Sequence, residues 1–137
     1  MNRIDFQQLA DRRLAESKAL FAAGFPEGAY YLAGYAVECA LKACIAKRTQ
    51  EHDFPEKDAR KYFSHDLQGL LGFAKLRVEL DQATTSNPAM DANWIIVQNW
   101  SEESRYEKAK TARQAEELLK AIEDPTGDLL PWVRQRW

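Results

Sequence analysis

Residues 26–48, PEGAYYLAGYAVECALKACIAKR, decide the fold. Leu32, Ala36, Cys39 and Ala43 recur at helical spacing as one apolar stripe, and Val37, Leu41 and Cys44 form a second on another side. A helix apolar on most sides is enclosed by its neighbours, so this stretch reads as the central helix of a bundle. The small residues Ala29, Ala33, Gly34, Ala36, Ala40 and Ala43 let those neighbours approach closely. A third stripe departs from the pattern. Tyr31, Tyr35, Glu38 and Lys42 fall within an arc of about 60° at 100° per residue. It places two phenols, a carboxylate and an ammonium on an otherwise apolar rod, with Glu38 and Lys42 spaced to pair. Such a stripe is either a satisfied polar seam, for example at a subunit interface, or one wall of a binding groove.

Working outward, helical periodicity recurs and strand alternation does not. A first helix is expected over Asp5 to Ala23, with Phe6, Leu9, Leu14, Leu20 and Phe21 inward, stopped by Gly24 before Pro26 opens the central helix. Residues 49–63 are polar and broken by Pro55, a long connection of the kind that carries function or a turn of its own. Ser64 reads as an N-cap, with Asp66 in the first turn of a third helix from His65 to Gln82 that buries Leu67, Leu70, Leu71, Ala74 and Leu76 or Val78. Asn87 caps a fourth helix from Pro88 to about Trp100 carrying Met90, Trp94, Ile95, Val97 and Trp100. After a break at Ser101–Ser104, a fifth spans Ala109 to Glu123 with Ala112, Ala115, Leu118, Leu119 and Ile122 inward, and the tail DLLPWVRQRW adds one or two helical turns. The expected fold is all-α: an antiparallel, up-and-down bundle of four to five helices plus a short C-terminal helix.

Composition agrees. The chain has 137 residues, 45% hydrophobic and 29% charged, with 6 Gly and 5 Pro, which suits a single domain over residues 1–137 and excludes disorder. A formal net charge of -2 argues against a generic nucleic-acid coat, so any polyanion site is a local patch. The longest apolar run, Trp94-Ile95-Ile96-Val97, is too short to span a membrane, and Met1 to Asp5 lacks the apolar core of a signal peptide; no membrane association and a cytoplasmic location are expected. Cys39 and Cys44 lie on different faces of one helix, out of disulfide reach, and with His52 and His65 in another segment they show no zinc-type spacing. No metal and no cofactor is expected.

Three further clusters could carry chemistry. Arg105, Lys108, Lys110 and Arg113 oppose Glu107 alone, beside Tyr106 and a helix start; they read as a solvated helix end or as a phosphate site with a stacking tyrosine. Arg60-Lys61-Tyr62-Phe63-Ser64-His65 brings together histidine and arginine, the minimal kit for metal-free RNA cleavage, although His65 at a helix start also suits a structural cap role. Trp132, Arg134, Arg136 and Trp137 interleave aromatics and cations, for base stacking or for packing on the bundle or a second subunit. GxxxxGK, GxGxxG, HExxH, GxSxG and CxxC are all missing, which removes most common enzyme classes.

The string Ala36 to Ala43 (A-x-E-x-A-L-K-A), followed by Ser64-His65-Asp66-Leu67 and by Trp100 to Tyr106 (WSEESRY), resembles the HEPN family (higher eukaryotes and prokaryotes nucleotide-binding), from the first helix to about Ile122. The resemblance implies a helical bundle, commonly a homodimer, often encoded beside a minimal nucleotidyltransferase. Many relatives are RNases of toxin–antitoxin pairs that use an R-x4–6-H motif near the last core helices. Here Arg105 sits where that arginine is expected and no histidine follows, while Arg60 to His65 has the spelling but lies before the third helix. The motif is therefore not carried over, and enzymatic activity stays open. The matching residues are Glu38, Lys42, His65, Arg105 and Tyr106. The first expectation is a nucleotide- or RNA-phosphate-binding homodimer with ligand contacts at Tyr31, Tyr35, Glu38, Lys42, Arg105 and Tyr106. The alternatives are a metal-independent endoribonuclease with His65 and Arg105 as catalytic residues, and a non-catalytic scaffold partner of a nucleotidyltransferase.

Overall fold

The computed structural model describes residues 1–52, 64–105 and 110–137. Every regular element among them is helical. Helix α1, Arg3–Ala22, opens on a reciprocal cap: the Asn2 side chain accepts from the Asp5 amide at 2.9 Å and the Asp5 carboxylate accepts from the Asn2 amide at 2.8 Å. It stops at Gly24, whose φ of +87° is left-handed, with the Phe25 amide donating back to the Leu20 carbonyl at 2.9 Å.

Helix α2, Pro26–His52, follows so closely that it must run antiparallel to α1. The Ser17 hydroxyl donates to the Ala29 carbonyl at 2.6 Å, and both residues are fully buried, which puts the alanine-rich side of α2 against α1. Ala33, Ala36, Val37, Cys39, Ala40, Leu41, Ala43 and Cys44 are all buried, and α2 packs against α1, against residues 67–73, 102–105 and 112–123, and against the C-terminal helix. The enclosed central rod expected from residues 26–48 is present. It continues a turn past Arg48, where a polar connection was expected to begin; the rest of that connection, Asp53 to Phe63, lies outside the described residues.

The expected third helix is two. Helix α3, Leu67–Phe73, and helix α4, Arg77–Ser86, are separated by Lys75 in a left-handed conformation at φ +58°. The cause is phase. At 100° per residue Leu76 and Leu80 would lie roughly 180–220° around from Leu67 if the helix continued. The break turns both inward, to 8% and 2% exposure, and leaves Val78 outside. The cap also differs from expectation: Asp66, not Ser64, accepts from the Gln68 amide at 3.2 Å, while the Ser64 hydroxyl accepts from the Asp66 amide. His65 therefore precedes the helix instead of belonging to it.

Helix α5, Pro88–Gln98, is capped by Asn87, with Ile95 half exposed. It ends before Trp100, which leaves that ring free to turn inward. A 3-10 turn, Glu102–Arg105, comes next. Helix α6, Ala112–Glu123, starts on a Thr111–Gln114 capping box and buries Ala115, Leu118, Leu119 and Ile122, while Ala112 is exposed. Helix α7, Leu129–Arg134, closes the bundle. Trp132 and Val133 are buried, Cys44 Sγ donates to the Val133 carbonyl at 3.6 Å, and Arg134 reaches Asp11 at 2.7 Å. Arg136 binds Glu79 at 2.9 Å with its guanidinium 3.9 Å from the centre of the Trp132 ring. The aromatic and cationic tail thus packs on its own bundle. Among the described residues no helix is long and apolar enough to cross a membrane.

Candidate functional site

The polar stripe of α2 meets the residues just before α3 and just after α5. Its centre is Glu38, a carboxylate with 1% exposure. Lys42 Nζ donates to Glu38 Oε2 at 3.2 Å, the helical i, i+4 pairing read from the sequence. His65 Nδ1 lies 2.7 Å from Glu38 Oε1. A buried carboxylate without partners costs several kcal/mol, so the ammonium and the imidazole are what allow Glu38 to sit there.

The other face of the His65 ring is also engaged. Nε2 lies 3.0 Å from Glu102 Oε2, on the 3-10 turn. Each ring nitrogen faces a carboxylate oxygen, and making both hydrogen bonds takes a proton on each nitrogen. The histidine side chain is 41% exposed, against 32% for Glu102 and 12% for Lys42. The result is a chain, Lys42–Glu38–His65–Glu102, that runs from inside the bundle to its surface.

Gly34 explains how the turn reaches this place. A Cβ on Gly34 would collide with the Trp100 ring, so only glycine lets the indole seat against α2, where it is 3% exposed. Tyr31 extends the contact, 6.2 Å from Trp100 and stacked on Tyr35 at 6.0 Å between ring centres. With Trp100 fixed on α2, Glu102 is close behind. Among the described residues, two buried atoms of the same segment, Trp100 Nε1 and Ser104 Oγ, have no hydrogen-bond partner.

Burial raises the Tyr35 phenol above its ordinary value, helped by neighbouring Cys39 and Glu38 and opposed by Arg13. Burial, reinforced by Glu38, pushes the Cys39 thiol up to about 12, and burial does the same to Cys44. Both cysteines are free and protonated at neutral pH.

Of the residues singled out from the sequence, Glu38, Lys42 and His65 come together, and Tyr31 and Tyr35 continue the same stripe. Arg105 ends the 3-10 turn that holds Glu102. Tyr106 lies outside the described residues. Glu102 was assigned no role from the sequence, because its partner is distant in the chain and an acidic pair in a break reads as solvated surface. Among the described residues no group of three or more His, Cys, Asp or Glu is arranged to hold a metal ion. A shallow groove between α5 and α6, lined by Asn93, Ile96, Glu117, Lys120 and Asp124, shares no residue with the cluster.

These features describe an all-α bundle whose central helix buries a carboxylate under a surface histidine. The HEPN domain family model matches residues 5–124. The chain belongs to the HEPN domain family. Comparison with curated proteins and with solved structures gave no match.

Proposed function

We propose that this chain is a cytoplasmic HEPN protein that binds a nucleotide or an RNA phosphate beside His65, as a homodimer working with a minimal nucleotidyltransferase partner. The observation that carries the reading is the tethered histidine: Glu38 holds Nδ1 from inside the bundle at 2.7 Å, which fixes the ring with its Nε2 edge outward, toward the turn that ends in Arg105. Arg105 supplies the forked phosphate contact and Tyr106 the stacking surface, as their positions in the chain suit. Lys42 balances Glu38. Tyr35, whose phenol stays protonated, is a hydrogen-bond donor on the same stripe. Trp100 Nε1 and Ser104 Oγ, without a partner among the described residues, support a site that a ligand or water completes.

The test is a binding titration with labelled AMP and a short RNA. Arg105→Ala lowers affinity and flattens its salt dependence, and His65→Ala lowers it at all salt concentrations. Unchanged binding in both variants rejects the reading. The same tether favours a second reading, a metal-independent endoribonuclease of a toxin–antitoxin pair. A histidine oriented by a buried carboxylate is the arrangement of a general acid–base, with Arg105 steadying the transition-state charge. RNA cleavage that persists in His65→Ala, or that the intact chain lacks, rejects this reading.

A further inference from the structure

The geometry points to Glu102 as a built-in occupant of the anion position at His65, a carboxylate that any phosphate ligand must displace; this rests on the binding reading above. His65 has two polar atoms, and Nδ1 is committed to Glu38. Nε2 is therefore the ring atom through which an incoming phosphate oxygen can be bound, and Glu102 Oε2 already lies on it at 3.0 Å. A carboxylate oxygen and a phosphate oxygen are the same kind of acceptor for that N–H.

The two carboxylates differ in freedom. Glu38 is 1% exposed, sits mid-way along α2 and is braced by Lys42, so it cannot leave without stranding a buried charge. Glu102 is one-third exposed on a four-residue turn, so its side chain can swing into water at small cost. Charge gives the contact its gating character. With a proton on each ring nitrogen to serve the two carboxylates, Lys42 and His65 balance Glu38 and Glu102 within this four-residue chain, so while Glu102 is in place the chain itself offers an anion no unspent positive charge. Displacing Glu102 leaves one positive charge of that chain uncompensated at the surface edge of the ring. Asp66, the residue that follows His65 in the chain, is engaged as the α3 cap. The ligand class is a phosphate oxyanion, borne by a nucleotide or by the RNA backbone.

The experiment compares the full chain with Glu102→Gln, which keeps size and removes charge, and with Glu102→Ala. Each is titrated calorimetrically with AMP, with inorganic phosphate and with a short RNA carrying 5′- and 3′-hydroxyl ends, while the His65 imidazole signals are followed by NMR. Both variants bind phosphate about tenfold more tightly than the natural chain, the size expected for removing one nearby, partly screened charge. His65→Ala in the Glu102→Gln background abolishes the gain. Tightening for AMP and inorganic phosphate alone identifies a terminal phosphate as the occupant; tightening for the RNA identifies the backbone. If the natural chain binds and neither Glu102 variant binds more tightly, the displaceable carboxylate is overturned and the binding reading stands. If neither the natural chain nor either variant binds any of the three probes, both fall.

Discussion

The C-terminal clasp and the histidine junction both use ion pairs to join distant parts of the chain, and they differ in how much water they keep. At the C-terminal clasp, Arg134–Asp11 and Arg136–Glu79 tie α7 and the residues after it to α1 and α4 through side chains that stay 29–57% exposed. At the histidine junction, Lys42 and His65 meet on a carboxylate that water scarcely touches. The bonds have similar lengths, but the energetics differ. Exposed pairs contribute at most about 1 kcal/mol each, because solvent screens them and side-chain entropy opposes them. A buried pair adds little net stability over apolar packing, yet removing one member strands a charge and costs about 3–5 kcal/mol. The clasp is a tether made redundant by the packing of Trp132 and Val133, whereas the junction is a point of failure. That is why the junction, not the clasp, reads as the place where the fold accommodates a function.

The comparison can be broken most directly at Glu38. Glu38→Ala leaves the largely buried Lys42 ammonium without its partner and is expected to lower unfolding stability by about 3–5 kcal/mol in urea titrations. A loss below about 1 kcal/mol would put the junction in the same class as the clasp. Gly34→Ala comes next: its methyl collides with the Trp100 ring, at an expected cost of about 1–3 kcal/mol together with a shift in tryptophan fluorescence.

The two cysteines sharpen the contrast, since Cys39 lies one residue from Glu38 and Cys44 lies beneath Val133. Both thiols should resist disulfide-exchange reagents at pH 8 in the native state. Each is held protonated up to about pH 12 in the fold, while in the unfolded chain it ionises near pH 8.5. Below pH 8.5 both states keep the proton and stability is untouched. Above it only the unfolded chain loses the proton, so stability falls by roughly 1.4 kcal/mol per thiol for each pH unit until the folded thiols ionise. The smallest effects belong to the clasp. Arg134→Ala is expected to change stability by less than about 1 kcal/mol. Arg136→Ala, which also loses its stacking on Trp132, should cost somewhat more and speed labelling of Cys44 but not of Cys39. Equal acceleration at both thiols would mean that the clasp and the junction open as one unit.

What could be read from the sequence follows the range of each interaction. The central helix was legible because its signals repeat within a few residues: two apolar stripes, a run of small residues, and Glu38 one turn from Lys42. The capping of α5 by Asn87 and Pro88 was legible for the same reason. The division of the third helix was not taken from the pattern, although the phase slip at Leu76 and Leu80 was there. A leucine-rich stretch with no Gly or Pro at the break itself gives no stop signal, and Lys75 is an unusual residue to hold a left-handed turn. Within the candidate site, His65 and Arg105 were singled out by residue type and resemblance. The hydrogen bond from His65 to Glu38 and the role of Glu102 depend on how α2, the start of α3 and the 3-10 turn converge, which no local pattern encodes. The seat of Trp100 on Gly34 belongs to the same group.

The left-handed residue between α3 and α4 carries a practical consequence. Lys75 bears a steric burden that glycine, and to a lesser extent asparagine, would not, of about 1 kcal/mol. Lys75→Gly therefore offers a sturdier background at a position that takes no part in the histidine cluster, and in it damaging replacements such as Glu38→Ala can be purified folded and compared for ligand affinity alone.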